Sequence, residues 1–442
     1  MNAAASPNEK RGPSYESGES FPLNSPVAVF VALCRQGLYP AVLWKSPEQE
    51  WLIACGSAHA VRFEASLTGW REAFRETAEK MRSMIGGTPG AGDPSVFFHI
   101  SFDPADEEGD GSWAGFPCME FFLPSVLLKR DSAGDSSLLF ERTVRGDRER
   151  IRSVIETADS EPAPMVEEPL CANLEWNEVP FTLAVEQAVR TLRRRALEKV
   201  VLARRAIVTA EREILLRNVL ETLLVSYSDC YLYAYAPEAG VRFISASPER
   251  LIRSTGGALR TAVLAGTAPT GRNLVEEQEG RLRIQTDQKI WKEHSLVAEM
   301  MMLALREIAD DVVLEQPEIL RLPNVLHLCS PLRGRLLEGR RLADAVALLH
   351  PTPAVCGTPR DEARRMIRLL EDFPRGLYTG VAGWFDAAGD GDSVVMIRSA
   401  LVRGNTAYLF GGAGITEESM IKQEVDETRV KMQAMLSALA RG

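Results

Sequence analysis

Strand-like segments arrive in clusters along this chain, with helical segments between the clusters, and that order constrains the fold more than any single motif. Residues 41–44 and 51–56 are short apolar runs separated by turn residues, which predicts a hairpin; another apolar run, 27–31, precedes them. Residues 70–85 carry apolar side chains at helical spacing and stop at the Gly- and Pro-rich stretch 86–93. Residues 96–100 and 119–124 read as strands. Past a Pro- and Glu-rich connector at 159–170 the pattern resumes: helix 182–197, strand 199–204, helix 218–227, and strands 230–235 and 241–246. A long helical pattern, open to interruption, covers 274–308, and shorter ones cover 344–349 and 361–370. Strands at 378–384, 393–401 and 406–411 and a last helix over 419–440 complete the chain. Clustered strands favour an α+β fold with antiparallel sheets over a doubly wound one. The connector divides the chain into an N-terminal part, 26–170, and a region 171–442, after a disordered tail, 1–25.

Composition narrows the function. A net charge of −10 argues against a nucleic-acid binder, which needs a basic face to displace counterions. It leaves room for an anionic substrate, because a local cluster of Arg, Lys or metal reverses the field. The 7 cysteines are scattered singly, as in a reducing cytoplasm. No apolar run of about 18 residues is present to cross a membrane, and the polar tail is not a secretory signal. No Gly-x-Gly-x-x-Gly follows a strand and no Walker loop occurs, so a nucleotide cofactor is not indicated.

Several residues have chemistry to offer. In 243–271, Pro248 fixes the backbone before Glu249, and a tight Gly266-Thr267 turn follows an apolar run. The same stretch also reads as a plain strand–turn–strand with a solvated Glu. Glu424 and Glu427, three apart on the last helix, share a face, and Lys431 follows one turn on. They repel unless a cation is shared, and a solvated helix face is the alternative. Glu293, brought near them, completes an all-oxygen site suited to magnesium. Lys199 opens an apolar strand; it is an exposed strand end or, partly buried, a general base with a depressed pKa. Arg398 interrupts another apolar run and needs an anionic partner, from the protein or from a substrate carboxylate. His327 fits a hydrogen-bonded core histidine or a site residue. Gly411–Ile415 reads as a backbone loop with N–H groups to offer an anion. The acidic stretch 103–110 reads as a solvated surface loop without the ligand order of a calcium site.

Nine strings, in this order, resemble the chorismate-utilising enzymes: Lys199-Val-Val-Leu-Ala-Arg, Ser247-Pro-Glu-Arg-Leu, Leu264-Ala-Gly-Thr, Val325-Leu-His-Leu, His350-Pro-Thr-Pro-Ala-Val-Cys-Gly, Arg375-Gly-Leu-Tyr-Thr-Gly, Ile397-Arg-Ser-Ala, Gly412-Ala-Gly-Ile and Glu424-Val-Asp-Glu-Thr-Arg-Val-Lys. The resemblance implies one α+β body, a β-sandwich ringed by helices, with the site between two sheets. It implies that Glu293, Glu424 and Glu427 hold Mg2+ against the ring carboxylate of chorismate. Arg398 and Tyr378 then take the enolpyruvyl carboxylate, with help from Gly412, Ala413 and Gly414, and Gly266, Thr267, His327, Ala354, Ile397 and Lys431 line the same pocket.

Within that family the nucleophile separates the members. Aminodeoxychorismate synthases carry a nucleophilic Lys where Ala265 stands, anthranilate synthases carry Gln where Lys199 stands, and salicylate synthases tend to Thr where Ala354 stands. The resemblance therefore implies water attack at ring C2, with Lys199 as base and Glu249 as the acid that protonates the departing C4 hydroxyl. The product would be isochorismate, for menaquinone, a siderophore or salicylate. The alternatives are a salicylate synthase, which also eliminates pyruvate, and a non-catalytic anion- or metal-binding protein on the same fold. Water in place of ammonia removes the need for a glutamine amidotransferase subunit, and a monomer or homodimer is expected. Ala268 and Thr270 depart from the family, which usually has basic residues there.

Overall fold

The computed structural model describes residues 15–16, 19–64, 66–85, 94–106, 110–141, 147–162, 172–194, 197–271, 273–323 and 325–441. The stretch 86–93, most of the connector and the first part of the expected tail lie outside them. The end of that tail does not: Glu19–Ser20 pairs with Ser136–Phe140, and Phe21 and Leu23 are buried. Asp159 then accepts hydrogen bonds from the backbone N–H groups of Asn24 and Ser25, both at 2.7 Å.

All pairings between the described strands are antiparallel, and they form one continuous path. Lys199–Ala210 pairs with Thr406–Ile415, then come Ser399–Arg403, Val241–Ser247, Tyr231–Glu238, Ala41–Lys45, Trp51–Phe63 and Met119–Arg130. From there the path continues through Val96–Ile100, Val381–Phe385, Gly391–Val395, Arg250–Thr255, Ala258–Pro269 and Val325–Leu336. Its two halves face each other. Val42, Trp44, Tyr233 and Phe243 of the first meet Phe97, Ala382 and Val394 of the second in a shared apolar layer.

Helices cover both outer faces. Pro26–Arg35, Arg148–Asp159, Leu216–Ser226 and Ile421–Leu439 pack on the first half, and Trp70–Met84, Gln288–Leu305 and Leu342–Leu349 on the second. This explains why the strands read as unbroken apolar runs. In Ala41–Lys45, Ala41 and Leu43 face the helices while Val42 and Trp44 face the other half, so every position is buried. The fold is α+β.

Two open readings are resolved and two expectations are corrected. The run 27–31 is helical, inside Pro26–Arg35, where Pro26 sits at the first turn and the helix is buried along most of its length. The long helical pattern breaks at Asp287, which ends Leu274–Thr286 and caps Gln288–Leu305 by accepting from Lys289 N–H. The strand expected over 393–401 is two, Gly391–Val395 and Ser399–Arg403, parted by Arg398 at φ +51°. Lastly, Asp103 is not solvated: it is buried and paired with Arg364 and Arg368.

A closed acid–base pocket between the sheet halves

The site forms where strand ends of both halves meet two helices. Glu249 lies between strands Val241–Ser247 and Arg250–Thr255. Gly266 and Thr267 are on Ala258–Pro269, Gly412 and Gly414 on Thr406–Ile415, Glu293 on Gln288–Leu305, and Glu427 and Lys431 on the last helix. These residues, with Ala265, His327, Ala354, Tyr378, Ile397 and Arg398, line one cavity of about 70 Å³. That is well below the roughly 300 Å³ at which small-molecule pockets begin.

Lys199 sits in the wall. It is 1% exposed, and its Nζ donates to Glu293 Oε1 at 2.6 Å. Burial pushes the Glu293 carboxyl up, but Lys199 outweighs it, and the group ionises below its ordinary range. Gly414 makes room for this pair: a Cβ there would stand 2.8 Å from Lys199 Cε and 3.0 Å from Glu293 Oε1. Glu249 behaves oppositely. Burial raises its pKa from 4.5 to about 7, against the pull of Lys199, Lys431 and Arg398 around the cavity. It can therefore hold a proton at neutral pH.

Arg398 and His327 form a second unit. Arg398 Nη2 lies 3.2 Å from His327 Nε2. A guanidinium only donates, so Nε2 accepts, and Nδ1 carries the proton toward Thr267 Oγ1 at 3.1 Å and Gly266 O at 3.3 Å. Burial and then Arg398 hold the His327 pKa well below its ordinary value. Among the described residues no carboxylate forms an ion pair with the buried guanidinium, although Glu427 acts on it through the cavity, and burial lowers its own pKa. It is poised for an anion.

Gly266 is not a turn. It is a bulge at φ +81° inside a strand, where the register slips between Ala265 and Thr267, and its missing Cβ lets Ile290 approach. Nor is Gly411–Ile415 a loop: it belongs to strand Thr406–Ile415, paired with Lys199–Ala210. The neighbouring pairing with Ser399–Arg403 stops at Leu409, so one edge beyond it is open. Gly412 O turns that way and accepts from Lys431 Nζ at 2.9 Å. The side chain of Ala413 points the other way, into an apolar cluster. Ala268 is likewise buried in an apolar cluster, and Thr270 donates to Leu322 O at 3.1 Å; neither lines the cavity.

The three glutamates expected at a metal supply hard oxygen donors on two helices, and two of them, Glu293 and Glu427, line the cavity. Glu424 lies outside that lining, beside Glu427 and 2% exposed, its pKa raised by burial and by Glu427. Each carboxylate already holds a cation: Lys199 on Glu293, Lys431 on Glu427 at 2.6 Å and Lys289 on Glu424 at 3.2 Å. The donor chemistry fits a divalent ion. Among the described residues the acidic trio whose oxygens lie within 4.8 Å of one another is a different one, Glu48, Glu50 and Asp392; Glu293, Glu424 and Glu427 do not come that close together. Arg250 and Arg253 neutralise the Glu48 trio. Sequence reasoning missed Lys289, although it lies four residues before Glu293 on one helix face.

The model of the family described as "Chorismate binding enzyme" matches residues 5–440. The chain belongs to the chorismate-binding enzymes. Within that family it is 32% identical over 422 residues to isochorismate synthase MenF of Bacillus subtilis, an alignment covering 90% of this chain and 87% of the relative. It is 38% identical over 247 residues to the vibriobactin-specific isochorismate synthase of Vibrio cholerae, covering 55% of this chain and 62% of that one. Among solved structures, the menaquinone-specific isochorismate synthase MenF of Escherichia coli superposes with a TM-score of 0.79 at 25% identity, covering 97% of this chain and 95% of that one. This chorismate-binding enzyme is thus similar to isochorismate synthases along nearly its whole length.

Proposed function

We propose that the chain isomerises chorismate to isochorismate as a cytosolic, magnesium-dependent enzyme. The observation that carries this reading is one cavity lined by Glu249, with a pKa of about 7, and by Glu293, whose carboxylate holds the buried Lys199. Small side chains at Ala265 and Ala354 leave space for water to be the nucleophile. The relatives' names support the same activity.

In this mechanism Arg398 takes a substrate carboxylate as a two-pronged ion pair, with Tyr378 and the open edge at Gly412 and Gly414 beside it. Neutral His327 fixes the guanidinium through Nε2. Lys199 serves as the base that takes a proton from water as the oxygen bonds to C2. The ring double bonds shift, the C4–O bond breaks, and Glu249 delivers its proton to the departing hydroxyl, which leaves as water. Each proton transfer contributes on the order of 10²–10⁴ in rate, and positioning supplies much of the remainder. Glu293, Glu424 and Glu427 would hold Mg2+, which when bound supplies Lewis-acid charge stabilisation at the ring carboxylate.

All residues in this mechanism lie between 199 and 431, within the expected catalytic region 171–442. The six described cysteines are free and buried, which suits a reducing compartment, and no described helix is long and apolar enough to cross a membrane. Menaquinone or siderophore synthesis is the use that the relatives' names suggest, and no ammonia-supplying subunit is needed. The test is chromatography of products from purified protein, chorismate and Mg2+. Isochorismate without pyruvate is expected; salicylate with pyruvate, or unchanged chorismate, contradicts the proposal.

A further inference from the structure

Of the three lysines that sit on the expected metal carboxylates, Lys199 and Lys431 already have places in the cavity and its wall. Lys289 has none. It lies in the first turn of Gln288–Leu305, one turn before Glu293, so both side chains project toward the last helix. Its Nζ donates to Glu424 Oε1 at 3.2 Å and lies 3.5 Å from Ser419 Oγ. Glu424 is buried beside Glu427, and a carboxylate so placed is costly without a cation. The Lys289 side chain is 31% exposed, so it can turn into solvent without displacing a packed group.

We infer that Lys289 is the resident counter-cation of the metal position, paired with Glu424 and keeping it in place until a divalent ion takes over its oxygen. The inference rests on the magnesium reading above. Exchange needs no covalent change: the carboxylate gives up an ammonium and gains the ion, and the ammonium returns to water. Lys289 therefore competes with the metal and sets its affinity in the free enzyme. A merely structural tie between two helices would have the opposite effect, because cutting it would loosen Glu424 and weaken the metal.

The test titrates Mn2+ into the full chain without substrate and follows free Mn2+ by electron paramagnetic resonance. Lys289→Met, and Lys289→Gln as a second neutral variant, are expected to bind Mn2+ about two- to fivefold tighter than wild type, the scale of one partly exposed ion pair. Lys289→Arg keeps the charge and should match wild type. Equal or weaker binding by both neutral variants, with unchanged circular dichroism and melting, overturns the inference. Glu427→Gln separates the two levels. If it weakens Mn2+ while the neutral Lys289 variants do not tighten it, the inference alone falls. If Glu427→Gln binds like wild type, or no protein takes up Mn2+, the metal reading falls and the inference with it.

Discussion

Glu249 owes its proton to burial, and three cations around the cavity only moderate the effect. The consequence has a sign. The folded pKa, about 7, lies above the ordinary 4.5, so between those values the folded state binds the extra proton and stability falls as pH rises. A shift of that size is worth about 3 kcal/mol. Glu249→Gln should therefore stabilise the protein relative to wild type by about 2–3 kcal/mol more at pH 8.5 than at pH 4.5, read from urea unfolding at both; a pH-independent difference contradicts it. In kcat/KM the alkaline limb should fall through about pH 7, and the Gln variant should lose roughly 10²–10⁴ in turnover while still binding chorismate. At Arg398, Lys keeps the charge but loses the fork and the bond to His327. Arg398→Lys should weaken chorismate binding by about tenfold or more in calorimetry, and wild-type affinity would remove Arg398 from carboxylate binding. At this scale the sequence was partly legible. A charge inside an apolar run, as at Arg398, announces itself, and so does a carboxylate pair on one helix face. Burial does not: whether Glu249 or Lys199 is solvated depends on strands far away in the chain, and only the motif resemblance joined them beforehand. Lys289 was legible by helical spacing, but a lysine beside acids reads as ordinary surface.

Among the elements, the strand bulge at Gly266 and the open strand edge at Gly412–Gly414 shape the pocket. Apolar periodicity located most strands and helices, because it follows from which face is covered. It missed interruptions set by tertiary contacts. The break at Arg398 is a backbone excursion to positive φ, invisible in a run of apolar neighbours, and the glycines of Thr406–Ile415 imitate a loop although they are a strand made bare for Lys199 and Tyr378. These glycines make sharp tests. At Gly266 an added Cβ meets Ile290 Cγ2 at 2.6 Å on a backbone of φ +81°. Gly266→Ala should cost about 1–3 kcal/mol in urea unfolding, and less in an Ile290→Ala background, since part of the cost is that contact. Equal costs in both backgrounds would assign everything to the backbone. Gly414→Ala presses on Lys199 Cε. It should lower turnover by about 10²-fold, the scale of an ångström misplacement, with little change in melting; undiminished turnover would show that Lys199 need not stand where it does.

For the molecule as a whole, one antiparallel path folds back on itself, and the cavity lies where the two halves and their helices converge. Lys199 comes from the first half, Gly266 and His327 from the second, and the glutamates from helices on opposite outer faces. Clustered strands made the α+β class legible, whereas the pairing path was not, because it depends on contacts between strands more than 100 residues apart, such as Ala41–Lys45 with Tyr231–Glu238. The proposed mechanism has water enter at C2 and the C4 hydroxyl leave as a separate water. The most direct test is turnover of chorismate with Mg2+ in water enriched in 18O, with mass spectrometry of the product. Isochorismate carrying one 18O at the C2 hydroxyl, and no pyruvate, is the result expected; unlabelled isochorismate, or salicylate with pyruvate, would contradict the account.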